Sequence, residues 1–234
     1  MTTEPYSRVH YAIMQGIVND GYAPDVSEIA TRLDISEQEA IAGLHDLEER
    51  HGVVLHPHCD HPWVIHPFSL APTLFWVTVD RDDIAGEYWG NCAWCSLGIA
   101  ELLGDDATVT ISTRLGGHDE DVEIQVKDGN LVDDEFVVHF AVPIEEAWDN
   151  VHYTCDTILI FESEPDVDDW CEQHAIEKGA VVPLEQVWTL AKQWYGQHLD
   201  EEWEKWTAAE AHEIFERVGL TDGFWSVPGT DEAF

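Results

Sequence analysis

Over the first fifty residues or so, apolar positions recur at helical spacing. Val9, Ile13 and Ile17 fall on one face of a segment from Ser7 to Val18, and Asn19-Asp20-Gly21 supplies the turn that ends it. Ser27 to Leu33 reads as a short second helix. Ser36-Glu37-Gln38-Glu39 has the Ser/Glu spacing of a capping box, opening a third helix whose Ile41, Leu44 and Leu47 form one stripe. Val53-Val54-Leu55 and Trp63-Val64-Ile65 follow as two wing strands. The pattern predicts a winged-helix-like three-helix module over residues 1–67.

From Phe68 onward the period changes. Thr73 to Asp80, Ala107 to Thr113, Val122 to Val126, Glu135 to Val142 and Thr157 to Phe161 are rich in β-branched and aromatic residues. Gly116-Gly117 and Asp128-Gly129-Asn130 provide hairpin turns between them. Strands separated by polar turns rather than long helices predict a mixed or antiparallel sheet. Helical spacing returns at Val167 to His174, at Leu184 to His198, and at Glu201 to Val218, where Trp203, Trp206, Ala209 and Ile214 punctuate an acidic stretch. Gly229 to Phe234 reads as a frayed tail. The expected class is therefore α+β, with the helical module at 1–67, a sheet domain with helices at 68–200, and an acidic helix and tail at 201–234.

Charge narrows what such a chain can do. Lysine and arginine total 10 against 48 aspartates and glutamates, a formal charge of −38, yet 44% of the 234 residues are hydrophobic and 11 are tryptophan. That is a folded protein with an acid-coated surface, not a disordered acidic chain. The acids are spread along the whole sequence, which points to a surface adapted to the concentrated salt of a halophile's cytosol, where self-repulsion is screened. The same charge argues against nucleic acid and anionic membranes. The third helix, where a winged helix would read DNA, carries Glu37, Glu39, Asp46, Glu48 and Glu49, with Arg50 only at its end. No apolar stretch is long enough to span a membrane, and Met1 to Pro5 lacks a signal peptide's features, so a cytoplasmic protein is expected, as a monomer or homodimer.

Candidate chemistry centres on Cys92-Ala93-Trp94-Cys95. The two thiols precede a short apolar run, Ser96 to Leu103, that reads as a helix. At a helix N-terminus, unpaired N–H groups and the macrodipole favour thiolate over thiol. By spacing alone the pair could be half of a zinc site, a redox dithiol, or two buried small hydrophobes. Cys155, just before the strand-like Thr157 to Phe161, could join them around one soft ion. The five cysteines are odd in number in a chain expected inside the cell, which favours free or functional thiols over a disulfide framework. His56-Pro57-His58-Cys59-Asp60-His61-Pro62, between the wing strands, could also hold a metal but reads as an exposed tip.

These residues resemble those of the organomercurial (alkylmercury) lyases, and the chain looks like a salt-adapted, haloarchaeal-like member. The resemblance is carried by Phe68 to Leu74 with Thr78-Val79-Asp80, by Cys92 to Cys95, by His152-Tyr153-Thr154-Cys155, by Pro165 to Trp170, and by the helix after Pro183. It implies a catalytic set of a cysteine, an aspartate three residues later and a distant second cysteine. In the gapless register these fall on Cys92, Cys95 and Cys155; a rival register places the first two on Cys95 and Gly98. Either way the carboxylate is absent. The implied reaction is protonolysis of a carbon–mercury bond to a hydrocarbon and Hg(II), with no bound cofactor and with a low-molecular-weight thiol as acceptor of the metal. Thiolates suit it because mercury prefers sulfur. Cys92 and Cys155 would hold the metal, and Cys95 would donate the proton or serve as a third ligand. An ordinary thiol, with a pKa of about 8.5 against about 3.9 for aspartate, keeps its proton at neutral pH. The alternative is a non-catalytic protein that binds or senses a soft metal (Hg, Cu or Zn) with the same three sulfurs. Asp156 and Glu101 are the nearest carboxylates in sequence, His152 is a candidate relay, and Trp89, Trp94 and Tyr153 are candidate pocket walls.

Overall fold

Helix caps set the amino-terminal architecture. In the structure, a computed structural model describing residues 5–117, 120–132, 135–229 and 234, three helices come first: α1 (Pro5–Asp20), α2 (Val26–Leu33) and α3 (Glu37–Glu49). Asp25 and Ser36 each accept a hydrogen bond from the backbone N–H of a glutamate three residues on, and Glu28 and Glu39 reach back to the cap N–H. Each such cap is worth about 1 kcal/mol. Val9, Ile13 and Ile17 of α1, with Leu44 and Leu47 of α3, form the buried faces the sequence predicts.

The expected wing strands, β1 (Val54–Leu55) and β2 (Pro62–Ile65), belong to a larger structure. With β3 (Phe68–Ser69), β4 (Phe75–Val79), β5 (Glu87–Gly90), β6 (Thr108–Arg114), β7 (Asp121–Lys127) and β8 (Asn130–Leu131) they make one antiparallel sheet in the order β1-β2-β3-β5-β4-β6-β7-β8. Residue 67 therefore lies inside this sheet, between β2 and β3, which pair Val64 with Ser69 and Ile65 with Phe68. Alternation buries Phe75, Val77 and Val79 of β4, and Val109 and Ile111 of β6, on one face. The β7–β8 turn at Asp128-Gly129 puts both residues at positive φ, 49° and 71°, the two-residue geometry that suits the right-handed twist of the strands.

On the buried side lies α4 (Ala93–Leu103), apolar except for Ser96 and the half-buried Glu101 and packed between the sheet and α7 (Leu184–Tyr195). A second antiparallel sheet, β10-β9-β11, is built from β9 (Val137–Phe140), β10 (Leu159–Phe161) and β11 (Ala180–Pro183). The remaining helices are α5 (Val151–Asp156), α6 (Glu164–His174) and α8 (Ala208–Arg217).

Several expectations change. The segment Thr157 to Phe161 is a strand only over its last three residues, and Cys155 lies in α5. The strand expected over 135–142 is confined to Val137–Phe140. The last helix begins at Ala208 rather than Glu201, because Thr207 and Glu210 form a capping box there; Trp203 and Trp206 lie in the irregular segment before it. Of the tail expected to fray, residues 230–233 lie outside the described residues. Phe234 is buried, and its N–H donates to the Trp206 carbonyl at 2.9 Å. Among the described residues no helix is long and apolar enough to cross a membrane.

Candidate thiol site

Cys92 is itself the N-cap of α4, so the helix starts three residues earlier than its apolar run suggests. Its backbone is extended (φ −158°, ψ −176°), its Sγ accepts the Cys95 N–H at 3.4 Å, and its carbonyl accepts the Ser96 hydroxyl at 2.8 Å. Both sulfurs thus sit in the first turn, among the N–H groups a helix leaves unpaired. The Ala93 N–H donates to the Ile158 carbonyl at 3.2 Å, while the Ile158 N–H donates to the Cys155 carbonyl at 3.1 Å. This double latch holds the end of α5 against the start of α4 and brings Cys155 to the other two thiols.

All three cysteines are reduced and buried. Cys92 Sγ lies 3.3 Å from Cys95 Sγ. The sulfurs of Cys95 and Cys155 and a ring nitrogen of His66 lie within 4.8 Å of one another, with Cys155 Sγ 3.8 Å from His66 Nε2. The Asn91 side-chain amide is 3.3 Å from the same nitrogen and orients the ring. From α7 the Tyr195 hydroxyl reaches Cys95 Sγ at 3.4 Å. Its ring lies flat against α4 at Gly98, where an added Cβ would stand 2.3 Å from Tyr195 Cδ2. Gly98 is the site of close helix approach; a carboxylate there would displace the tyrosine.

The shared burial divides the acidity of the thiols unequally. Burial raises Cys92 well above an ordinary thiol. Cys155 is raised as well, through its hydrogen bonds to Cys92 and Cys95 and by burial. Burial also pushes Cys95 upward, but hydrogen bonds from Cys155, Cys92 and Tyr195, together with the charge interaction with His66, outweigh it and leave this thiol well below the usual range. Three thiols at such range do not ionise together, and the donors converging on Cys95 favour it as the first to lose its proton. Tyr195, beside that charge and buried, is held well above its ordinary value, mainly by burial. His66 is lowered, first by burial.

The thiols open on a cavity walled by Trp94, Ile144, Trp148, Ile158, Trp194 and Phe234. Of the sequence candidates it gathers Cys92, Cys95, Cys155 and Trp94. Trp89 instead packs on Trp76, Tyr153 is exposed, and His152, Asp156 and Glu101 do not line it. Among the described lining residues there is no carboxylate side chain. Of the β1–β2 tip histidines, His58 is exposed while His56 and His61 are half-buried, and Asp60 is paired with His45 at 2.8 Å. His66 and Tyr195 are the site residues the sequence did not single out. His66 ends the Trp63 to Ile65 strand pattern, and Tyr195 lies on the helix read after Pro183, but neither carries a motif.

A family model for alkylmercury lyases matches residues 68–196. No curated protein matches the chain significantly. Among solved structures, the mercury-bound form of MerB2 is similar with a TM-score of 0.64 and 22% identity, covering 86% of this chain and 92% of that one. At that identity the likeness concerns the fold.

Proposed function

Because the chain belongs to the alkylmercury lyase family, we propose that it cleaves carbon–mercury bonds by protonolysis, using Cys92, Cys95 and Cys155. Cys95, the most acidic of the three, is the thiolate that takes the first place on mercury. A neighbouring thiol that has kept its proton, Cys155 or Cys92, then gives that proton to carbon as its sulfur takes the second place on the metal. Atoms and charge balance: R–Hg⁺, one thiolate and one thiol become R–H and a neutral mercury dithiolate. The proton that an aspartate would handle in the family is supplied by a cysteine, and Cys95 serves as ligand rather than donor. A low-molecular-weight thiol then takes the Hg(II) away by exchange. The acid-coated surface supports activity in concentrated salt.

The observation that carries this reading is three buried thiols packed together in one cavity whose described lining holds no carboxylate side chain. Incubation with methylmercury and excess thiol at high salt should release methane, and Cys95→Ala should abolish release. Undiminished release from Cys95→Ala would overturn the assignment. His66, Cys95 and Cys155, offering one nitrogen and two sulfurs within 4.8 Å, favour one second reading, a non-catalytic soft-metal holder. Tight Hg(II) binding by the wild type without hydrocarbon would select it.

A further inference from the structure

The cavity has a second polar group of side chains, away from the sulfurs. In a chain of 48 acids and 10 bases, its wall carries Lys205, His10, His51 and His198 and, among the described lining residues, no acidic side chain. His10 and His198 are 1% and 3% exposed. Both ring nitrogens of His10, Nδ1 of His198 and Nε1 of Trp203 are buried without a hydrogen-bond partner. The rings are fixed by stacking: His10 lies 3.7 Å from Trp203, His198 lies 5.2 Å from Trp203, and the two imidazoles are 5.9 Å apart. Lys205 Nζ donates to the His51 carbonyl at 3.3 Å and sits 4.4 Å over the Trp148 ring, and among the described residues no carboxylate side chain pairs with it.

A buried donor left without a partner costs about 1–3 kcal/mol. Several around one cavity, in a protein with acids to spare, mark a place for an acceptor. We propose that the Lys205, His10 and His198 end of the cavity binds the carboxylate group of a small molecule whose other end reaches the thiols. This rests on the cavity being the substrate chamber, and it assigns that chamber's ligand a chemical class. Burial lowers His10 and His198 and also brings Lys205 down to about 7, so Lys205 is the group at this end that an arriving anion would hold protonated, a single charge suited to a monoanion rather than a phosphate dianion. Two oxygens allow the ammonium and an imidazole N–H to be met at once. The walls of Trp148, Trp194 and Phe234 would cover an apolar stem, which a halide lacks. The carboxylate can belong to an organomercurial or to the accepting thiol; both present the same group.

The test uses benzoate and benzamide as probes, with the full-length protein in concentrated potassium sulfate and isothermal calorimetry as readout. Benzoate should bind at least about tenfold more tightly than benzamide, and Lys205→Met should remove that preference. Equal binding of the two probes, binding of neither, a preference that survives Lys205→Met, or chloride binding as tightly as benzoate would each overturn the proposal. Should Lys205→Met fail to fold, the wild-type comparison of probes decides alone. No carbon–mercury bond is broken in this experiment, so its failure is distinct from absent methane release.

Discussion

Replacing Tyr195 by phenylalanine removes one oxygen and keeps the ring that packs on Gly98, so it isolates the hydroxyl's effect on Cys95. A hydrogen bond to a charged group contributes about 1.5–3 kcal/mol. At 3.4 Å to a large, soft sulfur, the lower end applies. One pKa unit corresponds to 1.36 kcal/mol, so the Cys95 thiol should rise by about one unit. It should not return to an ordinary value, because the hydrogen bonds from Cys155 and Cys92 and the interaction with His66 remain. The three thiols titrate together, so the quantity to follow is the first macroscopic midpoint, read from thiolate ultraviolet absorbance against pH. Tyr195→Phe should move that midpoint upward, and the rate of alkylation below it should fall about tenfold. A midpoint unmoved or shifted downward would show that the charge does not reside on Cys95, and the order of mercury attack proposed above would fall with it.

Gly98→Ala should place a methyl group against the Tyr195 ring, destabilise the fold by about 1–3 kcal/mol in chemical unfolding, and reproduce part of the Tyr195→Phe shift as the hydroxyl is pushed away. His10 is lowered from 6.5 to about 3 by burial, so the unfolded chain takes a proton that the folded one refuses. Its contribution to stability is complete above pH 6.5 and is lost as pH falls toward 3, at no more than about 1.4 kcal/mol per pH unit. His10→Phe should flatten that part of the unfolding profile, and an unchanged slope would refute the assignment. With a net charge of −38, melting temperature should fall as potassium chloride is diluted and the screening length grows from about 3 Å at 1 M to about 10 Å at 0.1 M; a flat series would count against salt adaptation.

Local chemistry was legible in the sequence where it acts over a few residues. The Ser36–Glu39 box, the stripe of α3 and the placement of Cys92 and Cys95 at a helix start all follow from short-range spacing. Thr207 and Glu210 carry the same signal, which tryptophan periodicity upstream obscured. β5 escaped because Glu87-Tyr88-Trp89-Gly90 is short and ends in glycine, and it is stabilised by pairing on both sides rather than by its own residues. The convergence of Cys155 was inferable from mercury's need for a second sulfur, but not His66 or Tyr195. Each reaches the thiols through packing between elements far apart in the chain, which leaves no periodic or spacing signature.

The continuous sheet has a practical consequence for dissecting this protein. The family match spans 68–196, yet His66, His10, His51, His198 and Lys205 all come from outside that interval. Expressing the matched segment alone would yield a vessel missing one wall, with the β3 edge of the larger sheet stripped bare and the sulfurs opened to bulk water. Any minimal active fragment must therefore reach back through α1 and forward past Lys205.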